Sequence, residues 1–232
     1  CYEKPTVNHT MRAVRYYLKY CYENGFMNTE MFYQASQSPL TTGKAFTFIN
    51  TANEVKKLLD SIDLGNPCGI RDYAIILLIA RLGLRSSDVA NLRFSNIDWE
   101  KESIRLTQVK TENPLELPLL EDVGEAIINY LKKQGPKPIQ IMFCEQVPPY
   151  TINPGAVGAL VRVHLQKSGI HLEGKKKGSH TLRHSLASRL LEHEIPLPVI
   201  SEILGHTTTE TTMTYLRIDI AELRKCALEV AI

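Results

Sequence analysis

The sequence predicts a mainly α-helical fold carrying a small antiparallel β-sheet. Apolar residues recur at three- and four-residue spacing in most segments, whereas only Ser103 to Val109 and Leu115 to Leu119 alternate apolar and polar side chains as strands do. Composition agrees: 44% of the 232 residues are hydrophobic and 22% are charged, which supplies a sizeable core and excludes a mostly disordered, collagen-like or coiled-coil chain. The longest apolar stretch, Tyr73 to Ala80, is far below the roughly 18 residues of a membrane span, so a soluble protein with no membrane partner is expected.

Residues 1 to 34 read as mainly helical, with Met11 to Tyr22 stopping at Asn24-Gly25. Ser36 to Thr47, rich in Ser, Thr, Pro and Gly, reads as a linker and sets a boundary near residue 45. The expected organisation is therefore a tail of another domain over 1–44 and a complete domain over 45–232. Thr51 with Glu54 has the capping-box spacing and starts a helix whose apolar face is Val55, Leu58, Leu59 and Ile62. The segment from about Ile70 to Leu82 is apolar nearly all round, as a buried central helix must be, and Gly83 ends it. A short helix over Ser87 to Leu92 leads to the two strand-like runs, joined across Asn113-Pro114. Helices are then expected at about 121–134, 153–168, 180–193, 197–204, 208–216 and 219–230, with a short strand at Ile139 to Phe143. The last of these helices can fold back on its own core or pack on a neighbouring protomer.

Five cysteines, Cys1, Cys21, Cys68, Cys144 and Cys226, are odd in number and form no CxxC pair. Neither a disulfide framework nor a zinc site is indicated, and a reducing cytoplasm fits. A first residue of Cys rather than Met reads as a fragment of something longer. The net charge of +2 does not by itself advertise a nucleic-acid partner. Its distribution does: Val161 to Arg189 carries Arg162, Lys167, Lys175, Lys176, Lys177, Arg183 and Arg189 against Glu173 alone, a balance of +6 that leaves −4 elsewhere. Lys175, Lys176, Lys177, Arg162 and Arg189 are accordingly expected to contact a polyanion, although three consecutive lysines equally suit a solvated loop.

Three segments can carry chemistry. Gly83-Leu84-Arg85-Ser86-Ser87-Asp88 sets Arg85 between a helix-ending glycine and the next helix, where an anion is favoured, or where Arg85 pairs with Asp88. In His180-Thr181-Leu182-Arg183-His184, His180 and Arg183 share one helix face while Leu182, Leu186 and Leu190 form another. His180 and His184 also have the i, i+4 spacing of a metal pair, but no Glu and no third ligand accompany them. Leu204-Gly205-His206 is followed nine residues later by Tyr215, on a threonine-rich segment of weak helix formers.

Together these segments resemble the tyrosine recombinases, the phage-integrase-type site-specific recombinases, over about residues 45–232. The resemblance implies that family's catalytic-domain fold and a DNA strand transfer without metal or cofactor. It implies a 3′-phosphotyrosyl intermediate on Tyr215, for integration, excision or transposition of a mobile element. Arg85 and Arg183 would clamp the phosphate, His180 would accept the phenol proton, His206 would bond the phosphate, and Lys110, at the hairpin turn, would protonate the leaving 5′ oxygen. Lys101 is a weaker match because it precedes the strand. The chemistry stands on its own terms as well: guanidiniums stay charged and bond phosphate oxygens in pairs, and a phenol with a pKa of about 10 needs a base or nearby cations to attack. The implied partners are double-stranded DNA and further copies of the chain, a tetramer on two sites. Residues 1–44 would be the remnant of a domain that closes a clamp on the duplex. A type IB topoisomerase-like relaxing enzyme and an inactive DNA-binding relative are the alternatives; the intact residue set and the Leu-Gly-His to Tyr spacing favour recombination.

Overall fold

Asn66 begins the helix around which the larger part of the chain is built. The computed structural model describes residues 4–27, 52–135, 140–146, 148, 150–171 and 177–206, and the chain divides into two units, Cys1–Phe46 and Thr47–Ile232. In the first unit, helix α1 (Lys4–Glu23) ends at Asn24-Gly25, where Gly25 takes a φ of 73° and Phe26 N–H donates to Cys21 O at 2.8 Å. That is the glycine stop the sequence suggests.

In the second unit, α2 (Ala52–Asp60) precedes α3 (Pro67–Leu82), which starts three residues earlier than its apolar run suggests. The reason is capping: Asn66, in extended backbone, accepts from Gly69 N–H at 2.7 Å, and Pro67 occupies the first turn, where its missing N–H costs nothing. Ile75, Ile76, Leu78, Ile79 and Ala80 are completely inaccessible to solvent, as the all-round apolar pattern requires. Each large one contributes roughly 1.5–3 kcal/mol by burial. Around α3 pack α2, α4 (Ser86–Ala90), α5 (Glu121–Gln134), α6 (Pro154–Lys167) and α7 (Ser179–Glu192), and α8 (Leu197–Leu204) packs on α7.

The sheet has order β1-β2-β3, all antiparallel: β1 (Ile97–Asp98), β2 (Ser103–Thr107) and β3 (Pro114–Pro118). Ile104 stands opposite both Ile97 and Leu117, while Leu106 stands opposite Leu115. In β3 Leu115 and Leu117 are buried and Pro114, Glu116 and Pro118 exposed, the alternation read from sequence. β1, only two residues long, carries too little pattern to be foreseen.

One expected strand does not form among the described residues. Among the described residues of Ile139 to Phe143, only Ile141 bridges to Arg93. The segment's donors go instead to a loop and a phenol: Met142 N–H donates to Leu92 O at 2.8 Å, and Cys144 N–H to Tyr130 Oη at 3.0 Å. The linker, the Thr51 cap and the helices expected at 208–216 and 219–230 lie outside the described residues, as does Ile139.

Candidate active site

Two left-handed glycines shape the site. Gly83 closes α3 with a φ of 65°, and a Cβ there would meet Leu204 Cδ2 at 2.8 Å and Leu186 Cδ2 at 3.0 Å. Gly205 closes α8 with a φ of 59°, and a Cβ there would overlap the Gln108 side chain. Both positions need left-handed backbone and a close approach, which only glycine supplies without strain. They bring the carbonyl ends of α3 and α8 together, at the negative poles of two helices.

Arg183, on α7 and only 4% exposed, fills that junction: Nη1 donates to Gly83 O and Nη2 to Leu204 O. Arg85 is drawn to the same place, with Nη2 donating to Gly205 O at 3.2 Å. Its Nη1 is buried with no hydrogen-bond partner among the described residues. The Arg85–Asp88 ion pair does not form. Asp88 is buried at 3% exposure and accepts from Val109 N–H at 2.9 Å, so the last residue of the Gly83–Asp88 segment ties down the hairpin rather than the arginine.

That contact sits one residue before Lys110. The turn is also closed by Gln108 N–H donating to Asn113 O and Glu112 N–H to Gln108 O, each 2.9 Å. The completely buried Gln108 side chain accepts from Thr111 Oγ1 at 2.7 Å and donates to Leu204 O at 3.3 Å. Gln108 and Asp88 thus fix the backbone that carries Lys110. Neither role is legible in sequence: Asp88 reads there as part of a pattern or as a partner for Arg85, and a lone glutamine beside a strand gives no sign of a partner 96 residues away.

His206 follows Gly205 and has its backbone N–H on Ser201 O at 2.9 Å. Burial pushes its imidazole down to about 4, helped by the charges of Arg183, Arg85, His184 and Lys110 in that order. The ring is therefore neutral at neutral pH and surrounded by cations.

A cleft of about 480 Å³ opens beside Arg85. Its walls bring together Lys110 from the hairpin, Gly155, Gly158 and Arg162 from α6, and Lys177, Ser179 and His180 at the start of α7. No acidic side chain lines it among the described residues. Arg85, Lys110, His180, Arg162 and Lys177 thus meet in one place, with Arg183 and His206 assembled on the Gly205 side of Arg85. Lys175, Lys176 and Tyr215 lie outside the described residues.

Arg189, expected to contact a polyanion, is placed apart from the other cations of the cleft. Its Nη2 donates to Ala80 O in the last turn of α3 at 3.1 Å, and burial, then the charge of Arg81, lowers its pKa. An arginine one turn from the end of α7 satisfies a helix carbonyl there and does not line the cleft. Lys101 lies 4.0 Å from Asp98, also away from the cleft lining. Among the described residues no group of three or more His, Cys, Asp or Glu is placed to hold a metal ion, and no helix is long and apolar enough to cross a membrane.

The fold is that of a tyrosine recombinase catalytic domain. A variant of the Tn1549 transposon integrase, solved in complex with a circular intermediate DNA, superimposes with a TM-score of 0.73 at 18% identity, covering 96% of this chain and 79% of that one. The chain belongs to the Phage integrase family, which residues 50–222 match. It is 38% identical over 93% of its length to the Sinorhizobium fredii protein y4rA, whose name carries a provisional integrase/recombinase designation. It is 31% identical over 95% of its length to the tyrosine recombinase XerC of Caldanaerobacter subterraneus. The chain spans 53% of the first relative and 61% of the second.

Proposed function

We propose that this chain is the catalytic part of a site-specific DNA recombinase that cleaves and rejoins strands through a 3′-phosphotyrosyl intermediate. The observation that carries the reading is the cleft that gathers Arg85, Lys110, Arg162 and Lys177 with no acid in its lining among the described residues, which suits a phosphodiester and repels little of its charge. In this reading the Tyr215 phenol oxygen attacks phosphorus and the bond to the 5′ oxygen breaks. His180 takes the phenol proton and Lys110 gives one to the leaving oxygen. Arg85 and Arg183 stabilise the charge gathering on the non-bridging oxygens, and neutral His206 donates a hydrogen bond to one of them. The carbonyls of Gly83, Leu204 and Gly205 hold the two guanidiniums before DNA arrives, so little reorganisation is left for the transition state.

Residues 45–232 form the catalytic domain in this reading, and 1–44 the C-terminal part of a DNA-clamp domain plus a linker. Double-stranded DNA and further copies of the chain, four on two sites, are the partners, and the cytoplasm is the compartment. The Tn1549 integrase named above was solved on a circular intermediate of a transposon, which suits movement of a mobile element as the role.

A nicked suicide duplex carrying the element's end tests the proposal: wild type traps a covalent protein-DNA adduct, and Tyr215→Phe abolishes it while leaving affinity for the duplex nearly unchanged. Binding without an adduct in the wild type makes the chain an inactive relative. Relaxation of supercoiled DNA without strand exchange between two sites makes it a topoisomerase-like enzyme. Lys110→Ala is rescued by a 5′-phosphorothiolate, whose leaving group needs no proton; absence of rescue assigns the acid elsewhere.

A further inference from the structure

Ser86 and Ser179 line the cleft next in sequence to two groups already given roles in it, Ser86 directly after the phosphate-clamping Arg85 and Ser179 directly before the proton-accepting His180. Their hydroxyls touch: Ser86 Oγ donates to Ser179 Oγ at 2.6 Å. Ser179 is 9% exposed and opens the 14-residue helix α7. Neither serine is a helix cap, since Arg85 and Gly178 hold the cap positions of α4 and α7 and neither makes a side-chain cap bond. Two hydroxyls carry two donor protons, and the contact between them uses one. Among the described residues the other has no acceptor, in a cleft whose lining offers cations, an imidazole and no carboxylate. A nearly buried donor left without an acceptor is costly unless something fills the site.

We infer that the Ser86–Ser179 hydroxyl pair is a further substrate-binding element, donating a neutral hydrogen bond to a non-bridging oxygen of the scissile phosphate between Arg85 and His180. This rests on reading the cleft as the phosphate site. Ser86 polarises Ser179 through the 2.6 Å contact, so that Ser179 is the stronger donor of the two. The pair also ties α4 to α7, the helices that present Arg85 and His180.

Single-turnover adduct formation on the nicked duplex tests it, with an ordinary scissile phosphate and with each of the two methylphosphonate diastereomers, which lack one or the other non-bridging oxygen. Ser179→Ala slows the reaction on phosphate by about ten- to a hundredfold, the loss expected for a hydrogen bond to a charged acceptor. Ser179→Thr restores it, and Ser86→Ala produces a smaller loss. On the diastereomer missing the bonded oxygen, Ser179→Ala costs nothing further. A purely structural role costs the same on all three substrates, and that result, or no loss on phosphate, overturns the assignment. Ser179→Gly repeats the comparison if alanine lowers the melting temperature. Titration with inorganic phosphate, followed at the Ser179 and His180 amides by NMR, separates the two claims. If wild type forms no adduct yet binds phosphate more tightly than Ser179→Ala, recombination is refuted and the serine assignment stands; equal phosphate affinity in the two overturns the serine assignment whatever the DNA result.

Discussion

Burial of His206 has a consequence for pH. Its pKa is about 4 in the folded chain against 6.5 when free, so below pH 6.5 the unfolded chain takes up a proton that the native site refuses. The neutral ring's contribution is fully present above 6.5 and is lost as pH falls toward 4. Between pH 7.5 and 5 this costs about 1 kcal/mol, once the roughly 2 kcal/mol of the full shift is discounted for solvent screening around the half-buried ring. Urea denaturation at the two pH values is expected to show His206→Gln losing less stability on acidification than wild type; equal losses would mean the ring is protonated in the folded chain. Bound phosphate would offset the repulsion from Arg183, Arg85, His184 and Lys110 and raise this pKa, so saturating phosphate should narrow the difference. At this scale the sequence was most informative where spacing is diagnostic: Arg85, His180, Arg183 and His206 could be named from pattern. It was least informative for Asp88, Gln108, Ser86 and Ser179, whose partners lie 21 to 96 residues away and leave no periodic signal.

Two elements are fastened by a largely buried polar network that does not line the cleft. Arg71, in the second turn of α3, donates Nε to Asp72 Oδ1 at 2.9 Å and Nη1 to Glu145 Oε2 at 2.8 Å and Cys144 O at 3.2 Å. Asp72 turns its other oxygen to His164 Nε2 on α6, 3.0 Å away. The start of α3 is thus tied both to His164 in the back half of α6 and to the segment leading into it, while another face of α6 lines the cleft through Gly155, Gly158 and Arg162. Removing one partner strands the rest, and Asp72→Ala is expected to cost about 3–5 kcal/mol in urea denaturation. A loss under about 1 kcal/mol would show that water replaces the carboxylate. Element boundaries were legible where a cap or a left-handed glycine marks them, as at Gly83, Gly25 and Gly205. They were missed where the neighbouring chain decides. Gln140 to Phe143 has the apolar content of a strand, yet Leu92 and the Tyr130 hydroxyl take up its donors and those of Cys144, and only one bridge forms.

Across the whole chain, a near-neutral charge of +2 conceals a sorted distribution, and the fold sorts it further than sequence order does. Of the basic residues between Val161 and Arg189, Arg162 and Lys177 face the cleft, Arg183 is locked on two helix ends, and Arg189 holds Ala80 O. Local density of charge was visible in the sequence; which charges stay available to a ligand depends on helix ends that meet only in three dimensions. Salt dependence separates them. Each cation that meets a DNA phosphate releases about one counterion, steepening the fall of log Kobs with log salt concentration by about 0.9. Arg162→Ala and Lys177→Ala are each expected to flatten that slope by about 1 on duplex DNA and to leave the melting temperature nearly unchanged. Arg189→Ala is expected to do the reverse, keeping the slope and lowering stability by roughly 1–3 kcal/mol, because Ala80 O loses its donor. Fluorescence anisotropy at several salt concentrations, beside thermal denaturation, distinguishes the two behaviours. If Arg189→Ala flattens the slope as much as Arg162→Ala, the duplex reaches well beyond the cleft and the C-terminal end of α7 belongs to its footprint.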